Sequence, residues 1–121
     1  MTPTEYNEYV KFRWRPSDYG ILAAAMGVGG EGGEVVDEAK KIAFHDGMLH
    51  NMADMSIERY ENLVEEMGDT FYYLFALMNE LNVTFDIVTQ RNKRKLDQRF
   101  GADQPTSYPV QPPMTVEQTV G

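Results

Sequence analysis

Five glycines fall between Gly27 and Gly33, inside a stretch whose flanks read as helix. A glycine in a helix interior costs about 1 kcal/mol against alanine. The segment is therefore either a loop that uses glycine's freedom or a helix whose bare backbone lets something come close. Gly27, Gly29 and Gly32 do satisfy the dinucleotide spacing G-x-G-x-x-G. The residues before them, Ile21 to Met26, are alanine-rich and helical, no βαβ unit surrounds them, and Glu31 inside such a loop would repel a pyrophosphate. Walker A spacing is absent as well. The expectation is a helix from about Tyr19 to Phe44, capped by Ser17 or Asp18.

The rest of the chain reads as three further helices. Thr2, Pro3, Thr4 and Glu5 form a capping box with proline at the first helical position. Tyr6, Tyr9, Val10 and Trp14 follow at helical spacing, and Arg15-Pro16 ends that helix because a residue before proline avoids the α region. The stretch from His45 to Met55, with Asp46-Gly47 and Asn51, reads as a loop. Ser56 caps a third helix from Ile57 to about Leu81, with Leu63, Met67, Phe71, Leu74 and Met78 three to four apart. Asn82 stops it. Thr84 caps a fourth helix, Phe85 to Phe100, which Gly101 ends. The predicted fold class is all-α, a four-helix bundle over residues 1–102. Residues 103–121, with Pro105, Pro109, Pro112 and Pro113, read as an extended Pro-rich C-terminal tail.

Composition narrows the function classes. A chain of 121 residues makes one domain with a modest core, so self-association would help it. The net charge of −8 speaks against binding a nucleic acid polymer. Five of the eleven basic residues lie between Arg91 and Arg99, a local strip suited to phosphates. No apolar run is long enough for a membrane span, and the first residues lack a signal-peptide pattern. With no cysteine, disulfides and thiolate metal sites are excluded, which fits a cytoplasmic protein.

The chemistry concentrates in carboxylates. Glu31, Glu34 and Glu38 stand at i, i+3 and i+7 and so share one helix face. Glu66 and Asp69 repeat the spacing of three on the next helix. Two antiparallel helices that each present such a pair can converge on one spot, where hard, oxygen-seeking Mg²⁺ (or Mn²⁺) is the natural occupant. A solvated, salt-bridged face is the common alternative. The surrounding glycines, and the apolar stretch from Met67 to Met78 beside Asp69, argue against it. Asn92, Lys95 and Arg99 at i, i+3, i+7 can form a wall for phosphates, and Lys41, seven after Glu34, lies on the carboxylate face. Trp14 is open to a place in the core or in a base pocket. His45 and His50 read as loop residues; neither stands in an E-x-x-H pattern, which argues against a ferritin-like di-iron site.

These runs resemble a known family. Met26 to Lys41, MGVGGEGGEVVDEAKK, is similar to the metal-binding helix of the all-α NTP pyrophosphohydrolases of the MazG-like branch. Glu65 to Leu77, EEMGDTFYYLFAL, resembles their second metal-binding helix, and Asn92 to Phe100, NKRKLDQRF, their phosphate-contacting helix. The resemblance covers about Tyr19 to Gly101. It implies that Glu31, Glu34, Glu66 and Asp69 are metal ligands and catalytic residues, that Asn92 and Lys95 face the phosphates, and that Tyr73 lines the nucleotide pocket. It implies a Mg²⁺-dependent nucleoside triphosphate pyrophosphohydrolase that converts a (d)NTP and water to the monophosphate and pyrophosphate. Metal-activated water would attack the α-phosphorus, and a carboxylate of the set would take the proton, with Glu34 or Glu38 preferred. It also implies a homo-oligomer, a dimer or a tetramer; apart from the resemblance, the Pro-rich tail lacks the pattern to fold alone and is expected to reach across a neighbour as an extended arm. Two rival readings are the same fold acting on a phosphoribosyl nucleotide and a non-catalytic helical interaction module.

Overall fold

The computed structural model describes residues 1–47 and 54–101. It holds four α-helices: α1 (Pro3–Arg13), α2 (Gly20–Lys40), α3 (Ile57–Glu80) and α4 (Phe85–Phe100). A π-helical turn, Lys41–His45, extends α2. Among the described residues there is no strand, and no helix is long and apolar enough to cross a membrane. The Pro-rich tail, Asn51 and His50 lie outside the described residues.

The local signals at the helix ends act as expected in most places. Thr2 Oγ1 accepts from the Glu5 amide while the Glu5 carboxylate accepts from the Thr2 amide, a complete capping box. Ser56 Oγ accepts from the Arg59 amide. Asn82 takes the left-handed conformation at φ 54° that stops α3, a conformation asparagine tolerates. Gly101 does the same for α4 at φ 85°, and its amide donates to the Asp97 carbonyl. The start of α2 corrects the expectation. Tyr19, not Ser17 or Asp18, occupies the cap position, and no side chain there bonds the first turn. Instead the Glu80 carboxylate lies against Gly20, in space a side chain would fill. A carboxylate is favourable at the positive end of a helix dipole, so a residue sixty positions away supplies negative charge to this helix start.

Met1 to Phe85 form one compact unit, with α4 in a second that begins at Asp86. In the first unit, α1 and α2 both pack on α3. The core lies toward the C-terminal half of α3: Val10 from α1, Ala24 from α2, and Phe75, Ala76 and Met78 from α3. Tyr6 meets Phe75 edge-on at 5.0 Å, and Trp14 meets Tyr72 and Tyr73 at 6.0 and 6.1 Å. Val10 is the only large side chain fully withdrawn from water among the described residues. The core is small, as the chain length requires.

The α2–α3 contact has a regular register. Gly20 meets Glu80, Gly27 meets Tyr73, Glu31 meets Glu66 and Asp69, and Glu38 meets Arg59. The two numbers in each pair sum to nearly the same value, so the helices run antiparallel without a slip. Helical spacing extends these contacts to one series, Gly20, Ala24, Gly27, Glu31, Glu34 and Glu38 on α2, continued by Lys41, and to another, Arg59, Asn62, Glu66, Asp69, Tyr73, Ala76 and Glu80 on α3. Each series steps by alternating fours and threes, the spacing that keeps one helix seam facing its partner. One half of this seam is small and aromatic, the other charged.

Candidate metal centre

The glycines explain how α2 and α3 approach. A side chain at Gly27 would overlap the Tyr73 ring, so that ring lies directly on the α2 backbone. Trp14 and Tyr72 hold it edge-on from two sides. The Trp14 indole N–H donates to Glu80 Oε1 at 2.9 Å. Trp14 thus sits half-buried in the aromatic cluster and ties the α1 end to the end of α3. Gly29, Gly30, Gly32 and Gly33 differ: a side chain at any of them would meet open space.

One turn beyond Gly27 the seam becomes acidic. Glu31 from α2 and Glu66 and Asp69 from α3 each place a carboxylate oxygen so that all lie within 4.8 Å of one another. Glu31 and Glu66 are half-buried, and Asp69 is exposed. Opposite oxygens around one Mg²⁺ are about 4.2 Å apart, so the group is close to the size of a single hard-cation cage. Its all-oxygen donor set suits the same ions. The strain of assembling it shows in Glu66, whose carboxyl sits above its ordinary value. Partial burial is the largest cause, followed by the charges of Asp69, Glu31 and Glu34 and a hydrogen bond with Glu31. A proton shared between two acids is what such a cluster takes when it has no cation to neutralise it. Glu34 stands outside the triplet but near enough for its charge to act on Glu66.

Two further acidic-face residues are already engaged. Lys41 does not stand free toward the carboxylates. Its ammonium bridges Asp37 and Glu38, both at 3.2 Å, and these two acids hold it above its ordinary value through their hydrogen bonds and charge. Glu38, expected as one of two candidate proton acceptors, is instead buried and paired with Lys41 and with Arg59 of α3. Arg59 in turn binds Asp46 at 2.7 Å. The π-helical turn makes this possible: the Asp46 amide reaches back five residues to the Lys41 carbonyl, and the wider turn leaves the Asp46 carboxylate beside Arg59. Asn92, Lys95 and Arg99 lie on one exposed face of α4, in the second unit. There Lys93 pairs with Asp97 at 2.6 Å, and the Arg99 guanidinium lies over the Phe100 ring.

Two contributors escape a sequence reading based on α2 and α3 acids alone. Arg59 could have been found by stepping seven back from Glu66. Tyr6 carries no such signal. Its hydroxyl is held above its ordinary value first by burial and then by the charge of Asp69, which brings the α1 face close to the acidic group.

Comparison with known proteins agrees with this arrangement. The MazG nucleotide pyrophosphohydrolase domain matches residues 22–101, a span that includes all three clustered carboxylates and the α4 face. The "Gene 37 protein" of Mycobacterium phage L5 is 37% identical over 81 residues, which is 66% of this chain and 66% of that protein. The match thus spans just under two thirds of the relative's length. No solved structure matches the chain.

Proposed function

The chain belongs to the MazG nucleotide pyrophosphohydrolase family, and from that premise we propose that it hydrolyses nucleoside triphosphates to monophosphate and pyrophosphate with Mg²⁺, or Mn²⁺, as the metal. The observation that carries this reading is the meeting of Glu31, Glu66 and Asp69 from two helices within the span of one hard cation. Those three residues would hold the metal, with Glu34 beside them. When bound, a divalent cation neutralises phosphate charge and lowers the pKa of water.

The protein's own groups supply the rest. The reaction forms a bond from water oxygen to the α-phosphorus and breaks the bond to the bridging oxygen, so pyrophosphate leaves with that oxygen. The water's proton needs an acceptor. Glu34 is exposed, lies within charge range of Glu66 and is outside the triplet, so it is the best placed carboxylate. Glu38 is unsuited, because Lys41 and Arg59 already occupy it. On the same reading, Asn92, Lys95 and Arg99 of α4 are the hydrogen-bonding and cationic groups suited to phosphate oxygens. The Tyr73 ring, fixed over Gly27, offers an aromatic wall one turn from Asp69 for the nucleoside.

The proposal extends to assembly and setting. Phe12, Tyr19, Leu22, Met26 and Phe71 are all more than half exposed, more apolar surface than a monomer of this size comfortably leaves in water. We assign that surface to a homo-oligomer, a dimer or tetramer. Cytoplasmic residence accompanies the reading, since nucleotides and Mg²⁺ are both abundant there.

The test is a panel of ribo- and deoxyribonucleoside triphosphates incubated with the full chain and Mg²⁺, with products separated by chromatography. Monophosphate and pyrophosphate are expected, and EDTA should stop the reaction. A nucleoside diphosphate as first product, or undiminished turnover in EDTA, would refute the assignment.

A further inference from the structure

The acidic rung of the α2–α3 seam cannot hold itself together. Three carboxylates within 4.8 Å push the two helices apart until a cation or a proton intervenes. Toward Glu80 the helices are clamped by the aromatic cluster and the small residues Gly20, Ala24 and Gly27. Toward the other end no buried apolar cluster of comparable size occurs among the described residues; Ile42 is the one buried apolar side chain on that side. What crosses the seam there is Glu38 to Arg59, seven residues from Glu31 on one helix and seven from Glu66 on the other.

We propose that the Glu38–Arg59 ion pair is a positioning device that sets the register of α2 against α3, and so holds Glu31 at cation-binding distance from Glu66 and Asp69. The Glu38 side chain is 11% exposed and that of Arg59 25%. The Glu38 Oε2 atom makes no hydrogen bond and lies 3.8 Å from the guanidinium. Lys41 holds the other carboxylate oxygen, while Asp46 holds the guanidinium. Glu38 is therefore anchored within its own helix, while Arg59 reaches across the seam both to Glu38 and to Asp46 on the turn that follows α2. A buried ion pair of this kind contributes little net stability, and its best attested use is to select one register over its neighbours. A shift by one heptad position would oppose Glu38 to Asn62 and take from Glu38 Oε2 the one charge that faces it.

The inference rests on the reading of Glu31, Glu66 and Asp69 as a cation site, so its test carries one measurement that needs metal and one that does not. Mn²⁺ binding to the full chain is measured by calorimetry for the parent, Glu38→Arg, Arg59→Glu and the double exchange. Each single exchange should weaken Mn²⁺ binding about ten-fold or more, and the double exchange should recover part of the loss, since it restores the pair but sets like charges against Lys41 and Asp46. The milder Glu38→Gln and Arg59→Lys serve if an exchange fails to fold, and should weaken binding in the same direction. Separately, because the chain has no cysteine, labels attached at Val36→Cys and Glu61→Cys report the α2–α3 distance by pulsed electron resonance without metal. A narrow distance that broadens or shifts in the single variants and narrows again in the double supports the proposal. Unchanged distance and unchanged affinity in the single variants overturn it. If the parent binds no Mn²⁺, the cation-site reading falls, and the label distances still decide whether the pair sets the register.

Discussion

The two halves of the α2–α3 seam use the same spacing for opposite ends. Toward Glu80, small residues on α2 let Tyr73 and Ala76 sit on its backbone, and packing alone fixes the contact. Toward Arg59, the same facing positions hold Glu31, Glu34 and Glu38 against Glu66 and Asp69, and packing is sacrificed to gather charge. One half is a structural clamp and the other a ligand set. The difference shows that a helix seam need not be apolar throughout to have a defined register. A rigid half can hold a repulsive half in place, and the repulsion then becomes affinity for a cation.

The sharpest way to break the comparison is to neutralise the charged half. Glu31→Gln and Asp69→Asn should each lower pyrophosphate release on the order of 100-fold or more, measured with saturating nucleotide and Mg²⁺. Helical circular dichroism should be retained, because the clamp is elsewhere. A variant that loses its helices along with its activity would mean that the carboxylates are structural.

Two alanine substitutions compare closed and open glycines directly. Gly27→Ala forces a methyl group into the Tyr73 ring, which Trp14 and Tyr72 prevent from swinging away, and should cost about 1–3 kcal/mol. Gly30→Ala meets nothing within the chain and should gain roughly 0.5–1 kcal/mol from helix propensity. Thermal unfolding of the two variants should therefore move in opposite directions from the parent. A Gly30→Ala protein that is more stable but less active would show that this bare backbone faces the substrate or a second subunit.

The smallest expected effect is a pH dependence. Glu66 holds its proton more tightly in the folded chain than its ordinary value of 4.5. Its contribution to the stability of the metal-free protein is fully present below that value and is lost as pH rises through the folded one. Unfolding temperatures measured in EDTA should decline over that window, and Glu66→Gln should flatten the decline. Saturating Mg²⁺ should oppose the decline, because the cation stabilises the ionised cluster. An EDTA profile that rises across the same window in the parent alone would contradict the crowding of these acids.

Much of this was legible in advance, for physical reasons that vary by element. The end of α4 and the starts of α1 and α3 depend on caps within three residues of the helix end, and Thr2, Ser56 and Gly101 act locally. The pairing of Glu31 with Glu66 and Asp69 follows from helical periodicity once the two helices are known to face each other. The start of α2 was not legible, because no side chain caps it and Glu80 is brought against Gly20 only by the fold. Glu38 was misjudged for the same reason: spacing places it on the acidic face, and only the α3 partner shows that Arg59 and Lys41 occupy it. The π-helical turn has no sequence mark at all, and the fourth-helix face is legible only as a face.

That turn also bears on how the chain tolerates changes of length. A π turn contains one residue more than the α turn it replaces, so loss of any one residue from 41 to 45 would let the segment relax into regular helix. One turn is closed either way, so the chain beyond the deletion would keep nearly its present place around the helix axis, and Asp46 would stay on the side of Arg59. Loss of a residue from the regular helix between Glu34 and Glu38 is different, because every position after it would rotate by about 100° and Glu38 would swing away from Arg59. A change of length by one residue should therefore be absorbed between Lys41 and His45 where the same change within α2 is not.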